Sequence, residues 1–277
     1  MTRHAMQHDA GVLLPALRSR TRIVFLAIIA AVAVVTLLYL FLRPDTSAPL
    51  AAPVEPRYPD LRMGPIDDIT VGLTPEGTIS VRFPATIGNF GDGDFLVRAA
   101  RAHPFSDEWK VLQRVTDADA RFSQRETPAT LVWGGDGHNH WHVKHVEAHR
   151  VETLDGEILG EVVKGGFCFF DTDLLYDDLP ATPDDPVYSA VGCGGQLDLG
   201  VHMGLSVGWG DRYPTHMLDQ TVRVNELPDG NYVVRMIADP FDWFVESDET
   251  NNEVATEIAV GTGIDGVRTV EIVGQLD

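Results

Sequence analysis

The amino-acid sequence predicts an all-β domain, most simply a β-sandwich, preceded by an N-terminal transmembrane helix. Three observations lead there. Short β-type runs fill the chain from residue 66 onward, with few helical periods among them. Turn residues are abundant, with 26 Gly and 17 Pro in 277 residues. Finally, Ile23 to Leu42 is an unbroken apolar run without a charge.

The runs are Ile69–Leu73, Thr78–Phe83, Phe95–Ala99, Thr130–Trp133, Trp141–Thr153, Ile158–Phe170, Thr221–Val224, Tyr232–Ala238 and Val254–Val260. Between them lie PEG at 75–77, GDGD at 91–94, LDGE at 154–157 and PDGN at 228–231. Asp-Gly between β-type runs is a strong local hairpin signal, because its residues tolerate the positive φ that tight hairpin turns require. Short strands at this spacing suit two packed sheets.

The apolar run is long enough to cross a bilayer: at about 1.5 Å per residue it spans roughly 30 Å. Arg18, Arg20 and Arg22 precede it, and Arg43 and Asp45 follow. That asymmetry puts the N-terminus in the cytoplasm and the bulk of the chain outside. A cleaved signal peptide is the alternative, with an Ala-rich cleavage region at 47–52, but its apolar core is usually about 7–15 residues. The expected organisation is therefore a cytoplasmic segment 1–22, an anchor 23–42, a Pro- and Ala-rich tether 43–57, a β domain 58–265 and an extension 266–277. The domain is membrane-anchored and extracytoplasmic, or secreted if the anchor is cleaved.

Charge narrows the function classes. Acidic residues outnumber basic ones 41 to 21, for a net charge of −20. Binding nucleic acid through its phosphates needs the opposite balance, so no nucleic-acid partner is expected. Two cysteines are too few for a disulfide-dense scaffold or a cysteine-based zinc module.

Three segments carry chemistry. In the first, Gly137-His-Asn-His-Trp-His142, five of the ten histidines fall between 138 and 149. On a strand His138, His140 and His142 share one face at about 7 Å spacing, and converging neutral imidazoles suit copper or zinc. A helical reading would instead align His138, His142, His145 and His149, but the flanking Gly-rich and Asp-Gly turns favour the strand. The second is Lys164, one of three lysines in the chain. Taken alone it reads as a strand-end surface residue. The third is Val207-Gly-Trp-Gly-Asp-Arg-Tyr213, a tight loop in which Tyr213 reads as a rim or core tyrosine with a satisfied hydroxyl. Six aspartates between 171 and 185 read as a solvated loop.

Together these segments resemble the catalytic domain of the lysyl oxidase family in its microbial form, over about residues 58–260. His138, His140 and His142 fall on the family's copper-binding positions. Lys164-Gly-Gly-Phe-Cys-Phe-Phe-Asp-Thr and Gly208-Trp-Gly-Asp-Arg-Tyr213 resemble the two motifs that supply the halves of its quinone cofactor. The resemblance thus implies a lysine tyrosylquinone made from Lys164 and Tyr213. Pro59-Asp-Leu61 and Glu246-Ser-Asp-Glu-Thr-Asn-Asn252 resemble family segments that bind calcium, which would assign Asp60, Glu246, Asp248, Asn251 and Asn252. Cys168 falls on a family cysteine, and a Cys168–Cys193 disulfide fits export. The resemblance implies oxidative deamination of primary amines, peptidyl lysine or small amines, by Cu(II), the quinone and O2. The products would be aldehyde, ammonia and hydrogen peroxide.

Two points stay open at this level. A two-residue Asp155-Gly156 hairpin places Lys164 opposite Glu147, on the face away from the three histidines, unless a bulge at Gly160 or Gly165-Gly166 restores a shared face or the pair stays apart until copper arrives. The catalytic base is also unassigned, with Asp211 either a candidate or a loop cap. The rival functions are an adhesion module, since Leu227–Val260 also resembles a closing hairpin of such domains, and copper storage or delivery without turnover.

Overall fold

The computed structural model describes residues 54–276, apart from Pro75, residues 135–137 and residues 218–219. The apolar run 23–42 lies outside the described residues. No helix among the described residues is long and apolar enough to cross a membrane.

Everything described is β structure, turns and one short 3₁₀ segment, Ala190–Cys193. Among the described residues the strands form five sheets, all paired antiparallel, rather than the two of a simple sandwich. The largest contiguous ladder runs Ile158–Val163, Glu147–Thr153, Gly230–Ala238, Glu253–Thr262, Arg268–Leu276. Its last strand falls in the stretch expected as an extension, and it pairs with Glu253–Thr262 along its length. A four-stranded sheet, Asp173–Leu174, Trp209–Tyr213, Ala85–Asn89, Leu61–Met63, and a three-stranded one, Thr221–Val224, Ile79–Arg82, Thr70–Leu73, pack across that ladder. A further sheet is built on Phe95–Ala100, Lys110–Asp117 and Gly200–Leu205.

Alternation explains which faces are inside. Phe95, Val97 and Ala99 are buried while Arg98 and Ala100 are exposed. The inward residues meet an aromatic centre in which Phe95 lies edge-on to Phe169 at 4.8 Å and to Phe244 at 5.0 Å. Burying each such side chain contributes roughly 1.5–3 kcal/mol, with a smaller gain from edge-to-face geometry.

Two local departures from the expected strands position the site. The run Trp141–Thr153 is two strands, Trp141–Val143 and Glu147–Thr153, belonging to different sheets. His145 sits between them at φ 59, a left-handed conformation that turns the chain. Alternation therefore does not propagate from the histidine run into the second strand.

The hairpin at Asp155-Gly156 is also not a two-residue turn. Gly156 takes φ 89 in a three-residue loop closed by Thr153 and Glu157. A bulge then restores the register, with Glu152 opposite Ile158 but Val151 opposite Gly160. The two irregularities cancel, and the Lys164 N–H donates to the Glu147 carbonyl at 2.8 Å. After Gly165-Gly166 the chain crosses to the histidine strand, where Phe167 and Val143 exchange backbone hydrogen bonds of 2.8 and 2.9 Å. Gly166 is required there: a Cβ would fall 2.4 Å from the His142 Cβ.

Cys168 and Cys193 form a disulfide with a Cα–Cα distance of 6.0 Å, both ends fully buried. It ties the segment after Lys164 to the 3₁₀ turn. Closing a loop of this size contributes about 3 kcal/mol by restricting the unfolded chain.

Candidate active site

His142 projects from Trp141–Val143, whereas His138 and His140 lie on the irregular segment before it. Their rings converge because that segment folds back, not through strand alternation. His140 Nε2 is 2.9 Å and His138 Nδ1 is 3.4 Å from His142 Nε2. The ligand nitrogens lie within 4.8 Å of one another, which suits a single ion held by neutral imidazoles. The residues present therefore fit copper. The helical alternative fails. His145 leaves the cluster and faces Phe241 and Trp243, while His149 is buried behind the site.

Lys164 is not a surface residue: it is 2 % exposed. Its register opposite Glu147 carries it inward, and its ammonium lies 3.7 Å from the centre of the Tyr213 ring and 4.6 Å from that of Phe167. Tyr213 is buried at the end of Trp209–Tyr213, and its hydroxyl accepts the Cys168 N–H at 3.2 Å. Its ring packs on Phe167 at 4.4 Å and approaches His138 at 5.8 Å. One junction thus brings together all five residues that the sequence marked for copper and quinone.

Asp211 lies two residues before Tyr213 on the same strand, so the two share a face. It is not a loop cap. It is 1 % exposed, and its Oδ2 is without a hydrogen-bond partner among the described residues. Burial pushes its pKa well above the usual carboxylate range, against the opposing pull of Lys164 and a hydrogen bond from the Phe170 backbone. A pocket of about 250 Å³ joins Asp211, Tyr213, His138 and His140 to Phe170 and Met217.

A family model described as lysyl oxidase matches residues 110–264, more than half of the chain. The chain belongs to the lysyl oxidase family. No curated protein sequence matches it. Membership makes the chain an oxidoreductase of an amine oxidase family that is generally dependent on copper and lysine tyrosylquinone. The matched span holds the three histidines, Lys164, Tyr213 and both cysteines of this lysyl oxidase domain.

Sequence reasoning missed two residues. Glu147 and His149 are both fully buried. Glu147 Oε2 is 3.2 Å from Lys164 Nζ, and its Oε1 makes a close contact with His149 Nε2. Burial would raise the Glu147 pKa, but the charge of Lys164 and the hydrogen bonds from Lys164 and His149 outweigh it and hold the carboxyl well below its ordinary value. The predicted pairing of Lys164 with Glu147 was the available signal, since strand alternation puts Glu147 and His149 on one face.

The segments expected to bind calcium also meet. Ser247 N–H donates to the Pro59 carbonyl at 2.8 Å, and Glu246 accepts from the Leu61 N–H and, at 3.0 Å, from Asn252 Nδ2. Asp60, Glu246 and Asn252 are buried, whereas Asp248 is exposed. Asp60 Oδ1, Asn251 Oδ1 and Asn252 Oδ1 are buried without a hydrogen-bond partner among the described residues. Orphaned hard oxygens of this kind fit calcium. Burial raises the Glu246 pKa to about 9, helped by Glu249 and Asp239.

The aspartate-rich loop needs one correction. Asp171 is buried and accepts from the N–H groups of Val187, Tyr188 and Ser206. It folds that loop onto the strand carrying Ser206's neighbours, while Asp177, Asp178, Asp184 and Asp185 are exposed as expected.

Proposed function

We propose that this protein is a copper- and quinone-dependent amine oxidase that converts primary amines to aldehydes with release of ammonia and hydrogen peroxide. One observation carries the reading: the Lys164 ammonium lies 3.7 Å over the Tyr213 ring, beside three convergent histidines. Those five side chains have no reason to meet in an adhesion domain.

His138, His140 and His142 would hold copper, which with O2 supplies the oxidation of the Tyr213 ring to an ortho-quinone. Lys164 is already placed to join that ring, so the cross-link needs little side-chain reorganisation. The quinone, once formed from Lys164 and Tyr213, would supply a carbonyl able to bind a primary amine covalently. Asp211 is the group best placed to accept the substrate's α-proton, being buried, on the face of Tyr213 and with no hydrogen-bond partner for Oδ2 among the described residues. The pocket volume suits an aminoalkyl chain, so both small amines and lysine side chains fit this reading. Phe170 and Met217 provide its apolar wall.

A peptide-mass map of protein expressed with and without copper tests the proposal. A Lys164–Tyr213 cross-linked peptide seen only with copper is expected. Unmodified peptides from folded, copper-loaded protein would overturn it in favour of storage or delivery.

We also propose calcium at Asp60, Glu246, Asp248, Asn251 and Asn252, and export behind an anchor at 23–42. Membrane fractionation of the full chain against one lacking residues 1–45 tests the anchor.

A further inference from the structure

We infer that Glu147 and His149 form a proton-retaining pair behind Lys164, which takes up the lysine's ammonium proton when its nitrogen joins the Tyr213 ring. The inference rests on the cross-link proposed above and concerns how this chain makes it.

The starting arrangement is a buried, charge-balanced cluster. Glu147 and His149 are 0 % exposed and Lys164 2 %. The Glu147 carboxylate bridges the other two, with Oε2 at 3.2 Å from Lys164 Nζ and Oε1 against His149 Nε2. His149 is otherwise surrounded by core: the Phe83 ring lies at 5.0 Å, and Nδ1 is without a hydrogen-bond partner among the described residues. Asp211 is the other nearby carboxylate; it feels the charge of both Lys164 and Glu147.

Cross-linking removes the cation from this cluster. An ammonium has no lone pair, so Nζ must lose one proton before it can form a bond to the ring carbon. Two further hydrogens, from the amine and the ring, then leave as two protons and two electrons, and dioxygen takes these to hydrogen peroxide. Lysine nitrogen ends neutral. If the first proton escaped to solvent, Glu147 would be left as a buried anion without its cation, which is strongly unfavourable. With His149 neutral at the start and Glu147 ionised, a proton that stays on Glu147 or His149 takes the pair from negative to neutral as lysine passes from positive to neutral. The cluster's net charge is then unchanged. Histidine suits this role because its ordinary pKa lies near neutrality, and its contact with Oε1 lets the carboxylate share the proton. A solely structural ion pair would need no third, titratable partner.

The test counts protons. Protein loaded with copper under anaerobic conditions is exposed to O2 in weak buffer with a pH indicator, and the cross-linked peptide is quantified by mass. The pair predicts close to zero protons released per cross-link; release of one per cross-link overturns it. A second arm uses His149→Gln, with copper content and folding verified. It should form the cross-link at least tenfold more slowly and accumulate peptide in which Tyr213 is oxidised but not joined to Lys164. An unchanged rate would overturn the inference. Should that variant fail to fold, the proton count in the unaltered protein still decides. Absence of any cross-linked peptide from copper-loaded unaltered protein overturns the proposed function itself, a result distinct from either arm.

Discussion

Lys164 reaches over the Tyr213 ring because Glu147 holds it from behind: the ammonium is 3.2 Å from Glu147 Oε2 and 3.7 Å from the ring centre. The carboxylate and the aromatic face thus clamp one buried cation from two sides, and each contributes attraction in a site that water does not reach.

Lys164→Arg keeps that cation but replaces a nucleophilic amine by a guanidinium, which cannot be deprotonated in a protein. Hydrogen peroxide production from primary amines should fall to background, with copper binding retained. Tyr213→Phe should be equally inactive. It also leaves the buried Cys168 N–H without its acceptor, at a stability cost of about 1–3 kcal/mol in denaturant unfolding.

Asp211→Asn separates proton abstraction from cofactor formation. Turnover should drop by about 10²–10⁴-fold, the usual contribution of a positioned base. The coloured phenylhydrazine adduct should still form, because it requires the quinone carbonyl alone. Loss of the adduct would mean that Asp211 acts in building the site.

Gly166→Ala would place a methyl group 2.4 Å from the His142 Cβ, so the strand or the histidine must move. Overpacking of this kind costs about 1–3 kcal/mol. Copper affinity measured by chelator competition should weaken with it, although residue 166 is not a ligand.

Asp239 gives a pH signature. Its Oδ2 accepts the Phe244 N–H at 2.8 Å, and burial raises its pKa to about 6. The folded state therefore holds this proton more tightly than the unfolded one, and the group's contribution to stability declines as pH rises from about 4 to 6. Asp239→Asn keeps the acceptor and tolerates the positive φ of 40. It should stabilise the domain by on the order of 2 kcal/mol at pH 7.5 and by nothing at pH 3.5.

Glu246 extends the same reasoning to calcium. Without a cation its folded pKa of about 9 makes stability fall as pH rises from about 4.5 towards 9. Calcium would displace that proton, so the rise in melting temperature on adding calcium should be larger at pH 8 than at pH 6. An equal shift at both values would place calcium elsewhere.

The amino-acid sequence by itself determined the all-β class, the histidine run, the two cofactor segments and the pairing of Lys164 with Glu147. These follow from residue types and from short-range register, which turn chemistry and alternation encode locally. It did not determine where Lys164 points. Alternation carried through 141–153 as one strand places it opposite the histidines, whereas a bulge at Gly160 or Gly165-Gly166 restores a shared face, and local patterning does not choose between the two. A left-handed residue at His145 breaks that strand, and Gly165-Gly166 carries the lysine segment across to the histidine strand. Only tertiary structure decided that Lys164 and Asp211 are buried, and that Glu147 and His149 belong to the site. Burial and counter-ion pairing depend on which sheets meet, and that is settled by packing between segments far apart in the chain.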